Sequence, residues 1–363
     1  MFKAAKTVDF LFLTYYTDGS KQRKRLSSLI RLYFPLYLSR RSVSFSALRT
    51  ERPINFLCRR RAAEWMIVME KFDSLIIGEV AQDTNVDFDG TVVQAVGGAV
   101  YYSGCAAANM GHKIAVLPKA DLSQLDVTAA FHEKAPSISV FPLNSPHSFV
   151  TKNVYHTADR ERRTSTVDSL IAPYTTDEVP VDQIDAAIWH LAGLAGGDIP
   201  NEMIPFAAKH AMVAIDVQTM LRWVENGGMV YHDWKEKKEL LSYIRFLKTD
   251  AAEAEILTGL TDRAEAAKVL YSWGAKEILI THNTEVLVYD GHEIYTCPIK
   301  ARNLSGRTGR GDTTFAGYIN ERLTKDIPTA LQTATALVSL KMETPGPFTG
   351  TRQDVEDYIK LMY

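Results

Sequence analysis

From residue 71 to the carboxyl end, short apolar runs alternate with segments whose apolar residues recur at helical spacing. Helical patterns include an alanine-rich stretch after Gly97-Gly98 and two closing segments at 329–342 and 351–361. The alternation predicts an α/β fold with a mostly parallel central sheet and helices on both faces. The apolar runs are typical of buried strands and lie at 74–80, 113–120, 186–193, 212–218, 244–250 and 276–282.

Two segments depart from this rhythm. Residues 82–96 and 147–167 are polar, rich in turn residues, and alternate between apolar and polar positions. Alternation with a period of two is typical of strands that expose one face. We therefore expect both segments to form antiparallel strands on the outside of the α/β core.

The stretch Gly306-Arg307-Thr308-Gly309-Arg310-Gly311-Asp312-Thr313 carries the strongest functional signal. It connects the strand-like segment 277–300 to a helical pattern at 313–323. A glycine turn that leads into a helix leaves backbone N–H groups unpaired and directed at one point, where the helix dipole adds positive potential. Glycine allows an anion to approach this backbone closely. The stretch therefore predicts an anion site.

Asp312 is unusual in such a place, because a carboxylate beside an anion site is unfavourable unless it receives a proton from a reacting group. The combination suits phosphoryl transfer to a hydroxyl, with Asp312 as general base and the amides stabilising the developing charge. An ordinary turn with Asp312 as the helix N-cap is the alternative that the residues leave open. The common phosphate loop, G-x-x-x-x-G-K-[ST], does not occur in the chain.

This stretch resembles the D-T-x-G-A-G-D signature of the ribokinase, or phosphofructokinase-B, family of carbohydrate kinases. The core Gly309-x-Gly311-Asp312 is intact. The resemblance implies a ribokinase-like fold with a small β-lid from about 82–96 and 147–167, ATP as donor, Mg²⁺, and Asp312 as catalytic base. It also implies an anion hole formed by Gly309, Arg310 and Gly311. Three positions depart from the family pattern: Gly306, Arg307 and Arg310.

On the substrate side, Asp83 follows the first strand, at the sheet edge where ligands of open α/β sheets bind, and its carboxylate can accept hydrogen bonds from sugar hydroxyls. A solvated turn is the alternative. By resemblance, Asp83 is a substrate residue, and Gly97 and Gly98 form the glycine pair of the substrate site and lid hinge. Tyr102 replaces an Asn that is frequent in the family, which indicates a differently shaped substrate.

On the donor side, Asp250-Ala251-Ala252-Glu253 resembles the N-x-x-E motif, which organises magnesium and phosphate, and it also fits a helix capping box. Arg222 lies in a segment similar to one in inositol-type kinases, and it contacts either the phosphoryl group or substrate, or a local acid. The resemblance places Thr281 and Lys248 near the nucleotide. The family's T-x-G-x-x-G motif lacks both later glycines here, at positions 283 and 286.

The first 68 residues differ in composition from the rest. Residues 1–65 carry 14 Lys and Arg against 4 Asp and Glu, whereas the remainder carries 27 against 39. Met66 and Met69 directly precede the first strand, which favours a start of translation there over a targeting segment or a functional arm. We expect residues 1–68 to be an extension outside the fold and residues 69–363 to be the kinase domain.

The acidic body argues against a nucleic-acid partner, and the apolar runs of the first segment are too short to span a bilayer. Three scattered cysteines fit a reducing cytoplasm. The sequence predicts an ATP- and Mg²⁺-dependent kinase acting on a sugar, polyol or cyclitol hydroxyl, paired as a homodimer through the lid. One alternative is a nucleoside kinase, with Tyr101 and Tyr102 stacking on a base. The other is a catalytically weak sugar-binding or regulatory protein.

Overall fold

The structure is a computed structural model that describes residues 69–157 and 163–363. The predicted amino-terminal extension, residues 1–68, lies outside the described residues. The strands, in chain order, are β1 Glu70–Glu79, β2 Ala81–Val86, β3 Val92–Gly97, β4 Ile114–Ala120, β5 Ser139–Val140, β6 Leu143–Asn144, β7 Phe149–Tyr155, β8 Arg163–Ser169, β9 Ile184–Leu191, β10 Met212–Asp216, β11 Arg222–Glu225, β12 Gly228–Tyr231, β13 Ile244–Asp250, β14 Glu277–Thr281, β15 Glu285–Tyr289 and β16 Ile294–Pro298.

The α-helices fill the intervals between the strands and close the chain. They are α1 Ala99–Asn109, α2 Val127–Lys134, α3 Met203–Ala207, α4 Gln218–Leu221, α5 Lys237–Leu240, α6 Ala251–Thr258, α7 Arg263–Ser272, α8 Arg310–Glu321, α9 Ile327–Lys341 and α10 Arg352–Met362. Among the residues that the structure describes, no helix is long and apolar enough to span a bilayer.

The central sheet has ten strands, in the order β16-β15-β14-β13-β10-β9-β1-β4-β5, with β6 also paired to β4. All of its strands run parallel except β15, which lies near one edge and pairs antiparallel with both β14 and β16. Leu75, Ile76 and Ile77 of β1 are fully buried, because helices cover both faces of the sheet. The mostly parallel sheet predicted from the apolar runs is confirmed.

A second sheet of six strands runs in the order β11-β12-β8-β7-β2-β3. The predicted segments 82–96 and 147–167 supply β2, β3, β7 and most of β8. The hairpin β11–β12, which no pattern in the sequence predicts, joins this sheet where Gly228 pairs with Thr166. The pairing of β2 with β7 is parallel, whereas the other pairs are antiparallel. Closure of this sheet over a substrate, and a homodimer through it, stay predictions.

Helix α8 fixes the position of the predicted anion site. Phe315 and Ile319 of α8 are fully buried in a cluster with Ile188 of β9 and Phe246 of β13. This packing holds the start of α8 near the carboxyl ends of the parallel strands, where β10, β13 and β14 end in Asp216, Asp250 and Thr281 respectively. The chain thus brings a helix N-terminus and several strand-end polar residues to the same region.

Candidate active site

A cavity of about 830 Å³ is lined by residues of the second sheet, the strand ends and the start of α8. Gly97 and Glu253 are the only predicted site residues that do not line it, and each lies against one that does. A Cβ atom on Gly97 would lie 2.4 Å from Asp83 Oδ2, and Glu253 bonds to Asp250. The predicted residues that line the cavity are Asp83, Gly98, Arg222, Lys248, Asp250, Thr281, Gly309, Arg310, Gly311 and Asp312.

The start of α8 is built around glycine. Gly309 is the N-cap and adopts the left-handed conformation, with φ 76°. A Cβ atom there would lie 2.1 Å from the Tyr102 ring, so the close packing excludes any side chain. Within the described residues, no backbone carbonyl accepts the N–H groups of Gly311 and Asp312. These free donors at the positive end of a helix can bind an anion.

Asp312 is the third residue of α8, and the N-cap is Gly309. The alternative that Asp312 is the N-cap is therefore wrong. Burial raises the pKa of Asp312 above its ordinary value, although Lys248, Arg222 and Lys341 oppose this shift. A raised pKa makes the carboxylate a stronger base near neutral pH, as general-base catalysis requires.

Lys248 places a positive charge next to the start of α8. Its Nζ lies 2.7 Å from Asp216 Oδ2, and a Cβ atom on Gly311 would be 3.1 Å from the same nitrogen. Burial acts to lower the pKa of Lys248, but Asp216, Glu253 and Asp312 together raise it. Lys248 therefore stays charged, and its charge can attract the phosphates of a donor.

Asp250 and Glu253 form the capping box of α6. Asp250 Oδ1 accepts from the Glu253 N–H at 2.8 Å, and Glu253 Oε2 accepts from the Asp250 N–H at 2.9 Å. The other oxygen of Glu253 lies 3.4 Å from Arg222 Nη2. Glu253 is 1% exposed, whereas Asp250 lines the cavity, so the carboxylate that a hydrated Mg²⁺ in the cavity can reach is that of Asp250. Across the described ranges, no three His, Cys, Asp or Glu side chains cluster to hold a metal themselves.

The second sheet presents a ladder of polar side chains to the cavity. Thr151 on β7 donates to Asp83 Oδ1 on β2 at 2.5 Å, and Asn153 donates to Asn85 Oδ1 at 3.2 Å. Ser165 on β8 then donates to Asn153 Oδ1 at 2.7 Å. These five residues, called the polar ladder below, all line the cavity.

Tyr102 lies between the polar ladder and the anion site. Its ring covers Gly309, and burial together with the charges of Asp83 and Asp312 raises its pKa. Its hydroxyl therefore stays protonated and can donate a hydrogen bond to an acceptor substrate in the cavity.

Replacing Tyr102 by Phe is expected to raise the KM for the acceptor by roughly 5- to 10-fold, the cost of one hydrogen bond, and to leave the KM for the donor unchanged. Steady-state kinetics at varied acceptor and donor would measure this. Tyr101→Phe is the matched control, because the Tyr101 hydroxyl bonds to Ala130 O at 3.3 Å and Tyr101 does not line the cavity. Equal acceptor KM values for the two variants would refute a substrate contact at Tyr102.

The comparison with known proteins decides the family. The sequence profile of the pfkB family of carbohydrate kinases matches residues 148–353. The chain belongs to this family. Membership confirms the resemblance predicted from Gly309-x-Gly311-Asp312.

Three proteins illustrate what this pfkB-family chain is similar to. A pyrophosphate-dependent kinase in the ribokinase family, solved with a pyrophosphate analog and myo-inositol, is 32% identical, with TM-score 0.71 over 78% of this chain and 99% of that one. Ribokinase of Arabidopsis thaliana, solved with ribose and ATP, is 17% identical and shares the fold, with TM-score 0.64 over 80% and 99% of the two chains. The cytidine kinase of Thermococcus kodakarensis is 24% identical over 266 residues, which are 68% of this chain and 87% of that protein.

The ribokinase-like α/β fold predicted from the sequence is thereby confirmed, and the chain is a phosphotransferase with a hydroxyl acceptor. No motif in the sequence indicates Lys341, whose contacts with the anion-site loop are described below, or Thr151 and Asn153 of the polar ladder. Asp216, which pairs with Lys248, is the last residue of β10 and begins the segment that also contains Arg222.

Proposed function

We propose that this protein transfers a phosphoryl group to a ring hydroxyl of a cyclitol or sugar. The observation that carries the proposal is the polar ladder, which aligns carboxylate, amide and hydroxyl groups along one wall of the cavity. A ring that bears a hydroxyl on most of its carbons can bond to several of these groups at once, through the donors and acceptors that their mutual bonds leave over, whereas a flat base has few groups that can do so.

In the proposed reaction, Asp83 accepts a hydrogen bond from the acceptor and orients it, while Asp312 takes the proton of the attacking hydroxyl. The N–H groups at the start of α8 and the charge of Lys248 stabilise the transferring phosphoryl group. Mg²⁺ bound with the donor would be held through water at Asp250 and would neutralise phosphate charge. Closure of the second sheet would exclude water, which competes with the acceptor.

ATP is the donor that the family resemblance implies, but one observation favours pyrophosphate as a second candidate. The turn at His282 and Thr284 replaces the glycine-containing motif, is closed by a bond between His282 Nδ1 and Thr284 Oγ1, and does not line the cavity. The donor end of the cavity is lined instead by Thr281 and the loop 304–308, and the kinase that is 32% identical uses pyrophosphate.

A matrix of donors and acceptors tests both proposals. ATP and pyrophosphate, each with Mg²⁺, would be combined with myo-inositol, hexoses, pentoses and cytidine, and phosphorylated product would be measured by mass spectrometry. Product from a cyclitol or sugar supports the proposed acceptor class, and the donor in that reaction identifies the phosphate source. Product from cytidine alone would overturn the acceptor class in favour of nucleoside kinase activity.

A further inference from the structure

Lys341 is a buried cation behind the anion site. It is the last residue of α9 and is 2% exposed. Its Nζ donates to Gly306 O at 2.6 Å and also to Thr308 O, and lies 5.1 Å from the centroid of the Tyr102 ring. Lys341 does not line the cavity, whereas Gly306 and Thr308 do. The ammonium group thus contacts the loop 306–308 on the side that faces away from the cavity.

Burying a charged amine costs free energy unless other groups stabilise the charge. Burial lowers the pKa of Lys341 to about 8, and the Asp312 carboxylate opposes that shift. Two backbone carbonyls, the face of an aromatic ring and the carboxyl end of a helix all favour a positive charge. The groups around Lys341 Nζ therefore form a cation site, and the cation that fills it is the side chain at the end of α9.

The carbonyl contacts also orient the peptide groups of the loop. In a trans peptide the C=O bond and the following N–H bond point in opposite directions. When Thr308 O turns towards Lys341, the N–H of Gly309 turns to the opposite side of the loop. The same holds for Gly306 O and the N–H of Arg307. Lys341 therefore draws the negative ends of two peptide dipoles away from the site where donor phosphates would bind.

Residues 305 and 306 of the loop pack closely against the end of α9. The Gly306 N–H donates to Met342 O at 2.7 Å, and Ser305 Oγ donates to Glu343 O at 2.8 Å. A Cβ atom on Gly306 would lie 1.9 Å from Thr344 O. Lys341 is the charged member of this set.

We propose that Lys341 is a positioning residue, a built-in cation that fixes the peptide orientation of the anion-site loop and so sets the affinity for donor phosphate. The inference rests on the proposed function, because it assigns that loop to the donor. Lys341 itself lies outside the Gly309-x-Gly311-Asp312 motif and does not line the cavity.

Lys341→Gln and Lys341→Met test this inference. Gln keeps an N–H donor group without the charge, and Met keeps the length without donor or charge. We expect a roughly 10- to 100-fold rise in donor KM or fall in kcat for both variants, with the acceptor KM unchanged, as for loss of one anion-hole element. The matched control is Lys300→Met, since Lys300 Nζ also bonds a backbone carbonyl, Met362 O at 2.5 Å, and lies 4.7 Å from the Tyr363 ring centroid.

A chemical rescue separates positioning from packing. Lys341→Ala leaves space beside the two carbonyls, and added methylammonium should restore part of the lost activity, whereas an uncharged compound of the same size should not. Rescue by both compounds equally, or by neither, would show that Lys341 contributes packing and not a positioned charge.

Calorimetric binding of inorganic pyrophosphate and of a non-hydrolysable ATP analogue gives a readout that does not need turnover. Weaker binding of either probe to Lys341→Gln than to wild type, with Lys300→Met unchanged, supports the inference even if no acceptor is phosphorylated. Unchanged binding in a folded Lys341→Gln protein overturns it. Absence of product from every donor and acceptor with wild type would overturn the proposed function alone.

Discussion

Replacing Asp312 by Asn is expected to lower kcat by about 10²–10⁴-fold, equivalent to roughly 3–5 kcal/mol in the barrier, while donor binding stays nearly intact. Asn has almost the same shape as Asp, so it preserves the packing at the third position of α8. It cannot accept the proton of the attacking hydroxyl. Steady-state kinetics for turnover and calorimetry for donor binding would measure the two effects separately.

Asp354→Asn is the matched control for this substitution. Asp354 is the third residue of α10, where it takes part in a capping box and lies on the surface, outside the cavity. We expect a change of about 1 kcal/mol or less in the free energy of unfolding and no change in kcat. Near wild-type turnover in Asp312→Asn would show that Asp312 is not the base and that the proposed mechanism is wrong.

The pH dependence follows from the same carboxylate. Because burial raises the pKa of Asp312, the proportion of deprotonated base falls as the pH is lowered, beginning above the ordinary range of an aspartate. In wild type, kcat/KM should therefore decline on the acid side. The residual activity of Asp312→Asn should lack that decline.

Replacing Gly309 by Ala is expected to lower kcat/KM for the donor by about 10²–10³-fold, the effect typical of losing one donor of an oxyanion-type hole. The added Cβ atom would lie 2.1 Å from the Tyr102 ring, so either the ring or the start of α8 must move. Movement of the helix start would displace the N–H groups to which we assign binding of the transferring phosphoryl group.

Gly259→Ala separates the steric clash from backbone strain. Gly259 ends α6 with φ 74°, close to the 76° of Gly309, and a Cβ atom there would meet nothing within 4 Å. We expect a loss of about 1–2 kcal/mol of stability from the left-handed conformation and wild-type kinetics. If Gly309→Ala also keeps wild-type donor kinetics, the start of α8 is not the anion site.

The local pattern of the sequence determined much of this protein. Buried parallel strands are apolar throughout, and the apolar residues of helices recur about every 3.6 residues. The central sheet and its helices could therefore be predicted. Gly309, Gly311 and Asp312 were found because a helix start that binds an anion needs small residues at fixed spacing, and these lie within one turn of each other. Asp83 was found because it comes shortly after the apolar run of the first strand, although the structure places it within β2, and Asp250 was found because Asp250-Ala251-Ala252-Glu253 resembles the N-x-x-E motif.

Contacts between distant segments were decided only by the tertiary structure. Gly228 joins the second sheet by pairing with Thr166, and Lys341 reaches the carbonyls of Gly306 and Thr308 from the end of another helix. Thr151 bonds to Asp83 across 68 residues of sequence. Strand register and the direction of a buried side chain depend on how whole elements pack, and no local pattern encodes them. The sequence therefore determined the Gly309-x-Gly311-Asp312 motif, whereas packing decided what surrounds and orients it.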